Sequence, residues 1–458
     1  MMDSSFSNLG LAKGQLANLH SLGYLEMTAI QKKVLPLALQ GRDIIAQAKT
    51  GSGKTATFAL PLLAKINPRD FGVQALVLCP ARELATQVAS EVRRLARHQQ
   101  NIKVVILCGG QSIGPQIGSL EHGAHVIVGT PGRIKDHLRK RTLKLSRVKT
   151  LVLDEADRML DMGFMEDIEA IIKQTPRGRQ TVLFSATFPD NIESLSARFQ
   201  QSPVMVSVES LHDKGQIRQL FYLTQRSQKL DSLVKLLCYY KPARAVVFCH
   251  TKDTTREVSA HLQSKGIITL ALNGDLEQRD RDQVLIQFRQ QSCRILVATD
   301  VASRGLDIPD LPAVINYDLP KDPEGYVHRI GRTGRAGKKG LALSMLTDRE
   351  RHKLEGIGEF QDHHLRAELI ETLKESSTMT PPDFVTLCIA AGRKDKIRPG
   401  DILGAVTGEV GIPGSSVGKI DILEYAAYVA IHKNDVAKAL EGLQRGRIKG
   451  RNFKVRKL

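Results

Sequence analysis

The sequence Ala48-Lys49-Thr50-Gly51-Ser52-Gly53-Lys54-Thr55 follows the short apolar stretch Ile44–Ile45 and opens a helical pattern over 56–65. Its glycines allow backbone N–H groups to turn inward around phosphate oxygens, where the helix N-terminus adds partial positive charge. We expect Lys54 to reach the β and γ phosphates of a nucleotide and the Thr55 hydroxyl to bind Mg²⁺. The other residues expected to line the phosphates are Thr50, Gly51, Ser52 and Gly53.

An acidic tetrapeptide, Asp154-Glu155-Ala156-Asp157, follows the apolar run Leu151–Leu153, which places it at the carboxyl end of a predicted strand. One carboxylate there can hold Mg²⁺ through water while its neighbour polarises the attacking water. We therefore assign Asp154 to the metal and Glu155 to the general-base role. Such a tetrapeptide alone is typical of a solvated loop, but together with the loop at Lys54 it indicates a nucleotide-hydrolysing site.

Short apolar runs alternate with helical patterns over residues 30–350, and each run is closed by Gly, Pro, Asp or Thr. Such runs are typical of strands buried on both faces, and the intervening helical patterns predict parallel, doubly wound sheets. Two sets of about five runs therefore predict two α/β domains that meet in the polar stretch Val208–Gln216. The runs are 76–79, 104–107, 126–128, 151–153 and 182–184, then 245–249, 269–272, 295–297, 314–315 and 341–346.

The last 81 residues, 378–458, carry 14 Lys and Arg against 8 Asp and Glu, which is +6 of the chain's net charge of +18. Their pattern is strand, helix, strand, strand, helix, strand, which predicts a small split-βαβ domain of the α+β class. We accordingly divide the chain into residues 1–207, 217–370, a linker at 371–382, and 383–458.

Composition excludes several classes of protein. None of the apolar runs in the 458 residues approaches the ~20 that would span a bilayer, and Met1–Gly10 lacks the pattern of a secretory signal, so we expect no membrane partner. The six cysteines are scattered without a C-x-x-C pair, which predicts no structural metal and no disulfide framework and fits a cytoplasmic protein. The positive charge favours a nucleic acid or another acidic surface as partner.

Beyond the two nucleotide motifs, residues 6–345 resemble the DEAD-box RNA helicases, because about ten short motifs occur in the order of that family. The resemblance implies two RecA-like doubly wound parallel-sheet domains that close over ATP, Mg²⁺ and single-stranded RNA. It implies adenine binding by Phe6, Tyr24 and Gln31, and contact of Asp307 with the ribose. It also implies that Arg332 and Arg335 act as arginine fingers and that His328 bonds the acidic strand end of the first domain.

The same resemblance implies two further groups of residues. Ser185, Thr187 and Asp157 would couple hydrolysis to duplex separation. The RNA contacts would be Pro80, Arg82, Gly109, Gly110, Thr130 and Arg133 in the first domain and Thr251, Gly274, Arg281 and Thr299 in the second. Since a guanidinium supplied by the second domain stabilises charge on the γ-phosphoryl oxygens only after closure, RNA binding and hydrolysis should be thermodynamically linked.

The C-terminal pattern resembles an RNA-recognition motif (RRM), whose signature is aromatic side chains on its two central strands. Here only Tyr428 stands at such a position, while Ala426 and Cys388 occupy the others. We therefore expect RNA binding through loops and charge, and two basic segments are available. A structured site would use Lys394, Lys396 and Arg398, whereas Arg445–Lys457, with seven basic residues and no carboxylate, could serve as a basic tail adding non-specific affinity.

The helicase motifs together with Arg398–Ala405 and Val417–Ile420 are similar to the bacterial DbpA-type helicases. That resemblance implies binding to a hairpin of large-subunit ribosomal RNA and remodelling of neighbouring helices in ribosome precursor particles. Three alternatives stay open from the residues themselves: a general RNA chaperone, a non-enzymatic RNA clamp, and a DNA translocase. Intact Glu155, Arg332 and Arg335 disfavour the clamp.

Overall fold

A computed structural model describes residues 5–48, 52–185, 190–208, 217–300, 311–334, 339–374 and 378–458; within 190–194 it describes the backbone alone. Contacts divide these residues into two units, one up to residue 208 and one from residue 217 onward. We call the first unit the first lobe. Within the second unit, we call residues 217–374 the second lobe and residues 378–458 the C-terminal domain. The domain boundaries given above stay a prediction.

In its described part, the first lobe contains a sheet of seven parallel strands in the order β3-β4-β2-β5-β6-β1-β7. The strands are β1 Ile44–Gln47, β2 Ala75–Leu78, β3 Val104–Leu107, β4 Val126–Gly129, β5 Thr150–Leu153, β6 Gln180–Ser185 and β7 Val204–Ser207. The helices are α1 Lys13–Ser21, α2 Ala29–Leu39, α3 Lys54–Ala64, α4 Arg82–Leu95, α5 Gly114–Glu121, α6 Pro131–Arg139, α7 Ala156–Asp161, α8 Met165–Ile172 and α9 Asp190–Phe199.

Alternation along the central strands explains why this sheet is buried on both faces. In β1, Ile44 and Ala46 belong to one apolar cluster, while Ile45 belongs to the cluster on the other face. The neighbours β2, β5, β6 and β1 are adjacent and parallel, so their carboxyl ends meet at one edge of the sheet. That edge is where ligands bind in doubly wound sheets, and it gathers the segments after residues 47, 78, 153 and 185.

The second lobe repeats this architecture with seven described parallel strands in the order β10-β11-β9-β12-β13-β8-β14. The strands are β8 Ile217–Leu223, β9 Ala245–Cys249, β10 Thr269–Leu272, β11 Ile295–Thr299, β12 Ala313–Asn316, β13 Gly340–Leu346 and β14 Ala367–Leu369. The described helices are α10 Lys229–Tyr240, α11 Lys252–Ser264, α12 Gln278–Arg289, α13 Pro323–Ile330 and α14 Arg351–Phe360.

The C-terminal domain is an antiparallel sheet of four strands in the order β16-β17-β15-β18, all within its described residues. The strands are β15 Phe384–Ile389, β16 Val417–Ile422, β17 Ala427–His432 and β18 Val455–Lys457. Its helices are α15 Pro399–Gly404, continued by a π-helical turn Ala405–Glu409, and α16 Val436–Arg445. The predicted split-βαβ order is therefore confirmed, as are the two parallel α/β sheets.

Helix α12 of the second lobe covers one face of the C-terminal sheet. Ile286 forms a buried apolar cluster with Cys388 and Tyr428, and Ala426 packs against that cluster. Gln290, just after the helix, donates from Nε2 to the carbonyl of Tyr428 at 3.2 Å, and its Oε1 accepts from the Thr386 hydroxyl at 3.0 Å. The face on which an RNA-recognition motif stacks bases is thus an intramolecular interface here.

The segment that connects the second lobe to the C-terminal domain is also attached to the second lobe by polar contacts. Arg294 donates from Nη1 to the Thr380 hydroxyl at 2.9 Å, and its Nη2 pairs with Asp383 at 3.2 Å. Asp383 also pairs with Lys433 of the C-terminal domain at 2.9 Å. Although the sequence predicts a linker at 371–382, its described residues 378–382 therefore pack on the second lobe rather than acting as a free tether.

The estimate of about five strands per sheet was wrong, because it left out two strands in each lobe. In the first lobe they are β1 and β7, and in the second they are β8 and β14. Met205 of β7 and Leu369 of β14 are more than half exposed, since edge strands are covered on fewer sides. Within the described ranges, none of the helices combines the length and hydropathy needed to cross a membrane.

Candidate active site

The loop between β1 and α3 is shaped by a glycine. Gly53 has φ +88°, and a Cβ there would lie 2.6 Å from Nε2 of Gln31. The left-handed backbone favours glycine, and a Cβ would also displace the Gln31 amide from its bond to this loop. Helix α3 begins at the next residue, so Lys54 and Thr55 occupy its first turn. Lys54 is 7% exposed.

Gln31, predicted to contact adenine, connects helix α2 to this loop. Its Nε2 donates to the Gly53 carbonyl at 3.2 Å, and its Oε1 accepts from the backbone N–H of Thr28 at 2.9 Å. The Thr28 hydroxyl donates to the Ser52 carbonyl at 2.8 Å. The predicted adenine-binding segment and the predicted phosphate loop are therefore one hydrogen-bonded assembly.

Phe6 and Tyr24, the other predicted adenine contacts, are adjacent but differ in burial. Their rings meet edge to face, with centroids 6.3 Å apart. Phe6 is 4% exposed and belongs to the apolar core, while the Tyr24 hydroxyl donates to Glu91 at 2.7 Å. Burial and the Glu91 carboxylate raise the pKa of Tyr24. Both rings are held in place by the protein itself.

Asp154 lies directly after β5 and faces the phosphate loop. Its Oδ1 is 4.0 Å from Nζ of Lys54, and both side chains are buried. That oxygen has no hydrogen-bond partner among the described residues. Burial raises the pKa of the carboxyl to about 6, against the opposing effect of the Lys54 ammonium. A buried carboxylate oxygen left unpaired is costly, and a cation would satisfy it.

This donor set fits Mg²⁺ rather than a protein-caged metal. None of the described regions contains a cluster of three or more His, Cys, Asp or Glu that could hold an ion. Mg²⁺ typically takes one or two protein oxygens and keeps waters and substrate phosphates as its other ligands. Asp154 and the Thr55 hydroxyl supply such oxygens, and the bound ion would neutralise phosphate charge.

Glu155 is the N-cap residue just before the short helix α7, and its backbone is left-handed, with φ +55°. Its carboxylate pairs with Arg158, one turn later, at 2.9 Å, and both side chains are almost fully buried. Asp157, also buried, accepts a hydrogen bond from the backbone N–H of Arg158 at 2.9 Å. Ser185 ends β6 and accepts from the backbone N–H of Ala48 at 3.0 Å, which ties the coupling segment to the phosphate loop.

The predicted RNA contacts of the first lobe cluster at strand ends and helix starts. Arg82 begins α4 just after Pro80, Gly109 and Gly110 follow β3, and Thr130 precedes α6, in whose first turn Arg133 lies. Arg133 donates from Nη2 to the Gln111 carbonyl at 2.9 Å. The Nη1 atoms of Arg82 and Arg133 are buried without a hydrogen-bond partner among the described residues. A buried guanidinium N–H group without a partner can donate a hydrogen bond to an RNA phosphate oxygen.

A buried network positions the loop that contains Gly109 and Gly110. Gln116 donates from Nε2 to the Cys108 carbonyl at 2.9 Å, and its Oε1 lies 3.2 Å from Nε2 of His137. The other ring nitrogen of His137 lies 2.8 Å from the Thr142 hydroxyl. Burial, reinforced by the charge of Arg133, lowers the pKa of His137.

In the second lobe the predicted RNA contacts occupy equivalent places. Thr251 caps α11 by accepting from the backbone N–H of Thr254 at 3.1 Å, and Gly274 is exposed after β10. Arg281 lies in the first turns of α12, and Thr299 ends β11 with 8% exposure. All four lie near strand ends or helix starts, as in the first lobe.

Helix α13 and the turn after it carry two buried arginines and one half-buried histidine. Arg329 pairs with both carboxylate oxygens of Asp300, at 2.7 and 2.6 Å, and donates from Nη1 to Asn316 at 3.1 Å. It also lies over the ring of Phe248, 5.0 Å from the centroid. Arg332, the predicted finger, follows the helix and is 8% exposed, while His328 is half-buried.

The two basic segments of the C-terminal domain meet. Lys394, Lys396 and Arg398 are exposed on the loop after β15. Lys449, from the segment 445–457, donates from Nζ to the Lys396 carbonyl at 2.9 Å. The loop and the basic segment therefore form one surface, which we call the basic surface.

Five predicted site residues, Thr50, Gly51, Thr187, Asp307 and Arg335, lie outside the described residues. Sequence reasoning missed two others that the structure brings to the site: Arg158, the partner of Glu155, and Arg329, the partner of Asp300. The spacing of Glu155 and Arg158 on a helix is a weak signal that could have indicated their pairing.

Comparison with known proteins agrees with this geometry. Residues 28–195 match the family described as DEAD/DEAH box helicase, residues 228–337 the helicase conserved C-terminal domain, and residues 386–457 the DbpA RNA binding domain. The chain is 48% identical, over 456 residues, to the ATP-dependent RNA helicase DbpA of Escherichia coli K12, covering 99% of this chain and 100% of that protein. The chain belongs to the DbpA-type DEAD-box helicases.

Other relatives of this DEAD-box helicase match over about four fifths of the chain. The DEAD-box ATP-dependent RNA helicase CshA of Bacillus cereus is 48% identical over 355 residues, 77% of this chain and 67% of that protein. The structure of Saccharomyces cerevisiae Dbp5 bound to RNA and ADP BeF3 matches with a TM-score of 0.74 and 34% identity, over 80% of this chain and 96% of that one. The DbpA-type helicase described here is therefore an ATP-dependent RNA helicase with an additional RNA-binding domain.

Proposed function

We propose that this helicase binds structured large-subunit ribosomal RNA through its C-terminal domain and locally unwinds adjacent duplexes during assembly of the large ribosomal subunit. The observation that carries the proposal is the basic surface, in which Lys394, Lys396 and Arg398 are joined to the segment 445–457 through Lys449. A positively charged surface on a folded domain fits a structured RNA better than a free tail does.

In the proposed hydrolysis, Lys54 and the phosphate loop bind the β and γ phosphates of ATP, while Phe6, Tyr24 and Gln31 bind adenine and Asp307 the ribose. Glu155 accepts the proton of the attacking water, and Arg158 keeps that carboxylate in position. Mg²⁺, when bound to Thr55 and Asp154, neutralises phosphate charge. Arg332 and Arg335 stabilise the charge of the transition state, and His328 contacts the acidic strand end.

RNA binding would be coupled to this reaction through residues of both lobes. Their roles are those predicted above: RNA contact by Pro80, Arg82, Gly109, Gly110, Thr130, Arg133, Thr251, Gly274, Arg281 and Thr299, and coupling by Ser185, Thr187 and Asp157. The buried Nη1 atoms of Arg82 and Arg133 support the phosphate contacts, because a strand would satisfy them. The packing of α12 on the C-terminal sheet supports an RNA held at a defined distance from Arg281.

The deciding experiment measures the ATPase rate of the full chain against fragments of large-subunit ribosomal RNA and unrelated RNA of equal length, at one stated salt concentration. We expect half-maximal stimulation at a far lower concentration for one ribosomal fragment. The variant Lys394→Ala/Lys396→Ala should lose that preference, whereas Lys32→Ala/Lys33→Ala, a double change of the same charge in the first lobe, should keep it. Equal stimulation by all RNAs would instead identify a general RNA chaperone.

We further propose that the protein acts in the cytoplasm. All six cysteines, each within the described ranges, are buried free thiols, as is usual in a reducing compartment. Fractionation of cells that express a tagged chain should place it in the cytoplasm with ribosomal precursor particles. Recovery outside the cytoplasm would contradict this location.

A further inference from the structure

Two tyrosines of the C-terminal domain, three residues apart, have opposite environments. Tyr428 is 2% exposed and packs on Ile286 of the second lobe, so its ring is closed to a ligand. Tyr425 lies in the turn between β16 and β17 and is 66% exposed. Residues 378–458 are all described, and Tyr425 is the one exposed Phe or Tyr side chain among them.

The turn that carries Tyr425 is fixed rather than free. Leu423 donates its backbone N–H to the Ala426 carbonyl at 2.8 Å, which closes the turn. The backbone N–H groups of Arg393 and Lys394 donate to the carbonyls of Leu423 and Glu424 at 2.9 and 3.0 Å. These bonds attach the turn to the loop of the basic surface.

Glycine at position 392 allows this attachment. A Cβ there would lie 2.5 Å from the Leu423 carbonyl oxygen and 2.6 Å from that of Glu424. The two loops could not approach so closely with any other residue. The Lys394 ammonium consequently lies 3.5 Å from the carboxylate of Glu424, the residue that precedes Tyr425. Since both partners are exposed, this ion pair is weak and can give way to a phosphate.

We propose that Tyr425 is a stacking platform for one unpaired nucleobase of bound RNA. Proteins bind single-stranded nucleotides with exposed aromatic rings in a positively charged groove, where the ring takes the base and the cations take the backbone. Tyr425, exposed on a turn that is hydrogen-bonded to the loop of Lys394, has this arrangement. A paired base inside a duplex presents no free face, so the ligand is a loop or bulge nucleotide. The RNA-recognition motif of this chain has thus moved its aromatic contact from the covered sheet face to an outer turn.

This inference rests on the proposed function, because it assumes that RNA binds the basic surface. The test uses the full chain and the large-subunit ribosomal RNA fragment that stimulates ATPase most strongly, with a blunt duplex of equal length as a second probe. We expect Tyr425→Ala to weaken binding of the fragment about tenfold and to leave duplex binding within about twofold. Tyr425→Phe should restore the affinity, and Phe360→Ala, at an exposed aromatic of the second lobe, should have no effect.

The chain contains no tryptophan, so Tyr425→Trp introduces a single tryptophan, whose emission can be excited apart from that of the tyrosines. Stacking predicts quenching of its emission by the fragment but not by the duplex. If Tyr425→Ala binds the fragment normally while Lys394→Ala/Lys396→Ala loses affinity for it, the stacking role of Tyr425 is wrong and the proposed function still stands. Normal binding by all of these variants would overturn both. If Tyr425→Phe loses as much affinity for the fragment as Tyr425→Ala does, stacking is not the reason for the effect of Tyr425→Ala.

Discussion

The ammonium of Lys54 lies 4.0 Å from the carboxylate of Asp154, and both groups are buried. The pair joins the phosphate loop after β1 to the acidic strand end after β5, although 100 residues separate them in the chain. Its spacing is too long for a hydrogen bond, so both groups keep capacity for a ligand. The Lys54 ammonium complements a nucleotide phosphate, and the Asp154 carboxylate complements the Mg²⁺ that accompanies the phosphate.

The variant Glu155→Gln should bind ATP normally and lose turnover. Glutamine has the shape of glutamate and can still accept a hydrogen bond from Arg158, but it does not take a proton from water. Loss of a general base typically costs about 10²–10⁴ in rate. Steady-state ATPase assays and ATP titrations measure the two effects separately.

Glu166→Gln is the matched control, since it neutralises an exposed carboxylate on the neighbouring helix α8 and should keep full activity. Unchanged hydrolysis in Glu155→Gln would remove the base assignment.

Two arginines of the α13 segment should respond differently to substitution. Arg332→Ala should lower kcat by about 10³–10⁵ while the protein stays folded, because its guanidinium acts on the transition state. Arg329→Ala should lower the unfolding free energy by about 1.5–3 kcal/mol, since it removes the hydrogen bonds that the buried guanidinium makes to the Asp300 carboxylate and to Asn316. ATPase assays and thermal unfolding distinguish the two.

The exposed Arg349 offers a control, and Arg349→Ala should change neither quantity. An Arg332→Ala variant that hydrolyses ATP at the normal rate would contradict the finger assignment.

Acid should destabilise the first lobe through His137. Its pKa is lowered in the folded state by burial and by Arg133, with a smaller contribution from Lys140 and an opposing one from Asp136. Below the ordinary histidine pKa of about 6.5, the unfolded chain therefore binds a proton that the folded chain does not, so stability falls with falling pH. Thermal unfolding between about pH 5 and 7.5 measures this slope.

His137→Gln keeps a neutral polar group and should flatten that pH dependence, whatever its effect at neutral pH. The exposed His20 provides the comparison, because His20→Gln should leave the slope as it is. An identical slope in wild type and His137→Gln would contradict the prediction.

Tyr428→Ala should destabilise the second unit, whereas Tyr425→Ala should not. Tyr428→Ala removes a buried ring from the contact with Ile286, and loss of a buried ring typically lowers the unfolding free energy by about 3 kcal/mol. Tyr425→Ala removes an exposed ring. Calorimetry of the full chain measures both. Equal melting temperatures for the two variants would contradict the docked arrangement.

For the same reason, removal of residues 378–458 is not a neutral truncation. It would expose Ile286 and leave Gln290 without its bonds to Tyr428 and Thr386. Substitutions on the basic surface are the cleaner way to separate RNA preference from ATPase activity.

The sequence by itself determined the fold class, the two nucleotide motifs and the basic character of the C-terminal domain. Buried parallel strands appear as continuous apolar runs, and a phosphate loop needs particular residues at fixed spacing, so both patterns are local. The ten predicted runs did not include β1, β7, β8 and β14; in β8 and β14 a charged residue, Arg218 or Glu368, interrupts the apolar pattern.

Only the tertiary structure decided which groups meet. The pairing of Gln31 with Gly53, of Arg329 with Asp300 and of Gln290 with Tyr428 joins residues 22 to 138 positions apart. The pattern of apolar and polar residues indicates whether a side chain is buried or exposed. It does not identify the distant residue that the side chain contacts. For the same reason, the sequence shows that the C-terminal sheet lacks aromatic side chains at two positions. It does not show that helix α12 covers that face of the sheet.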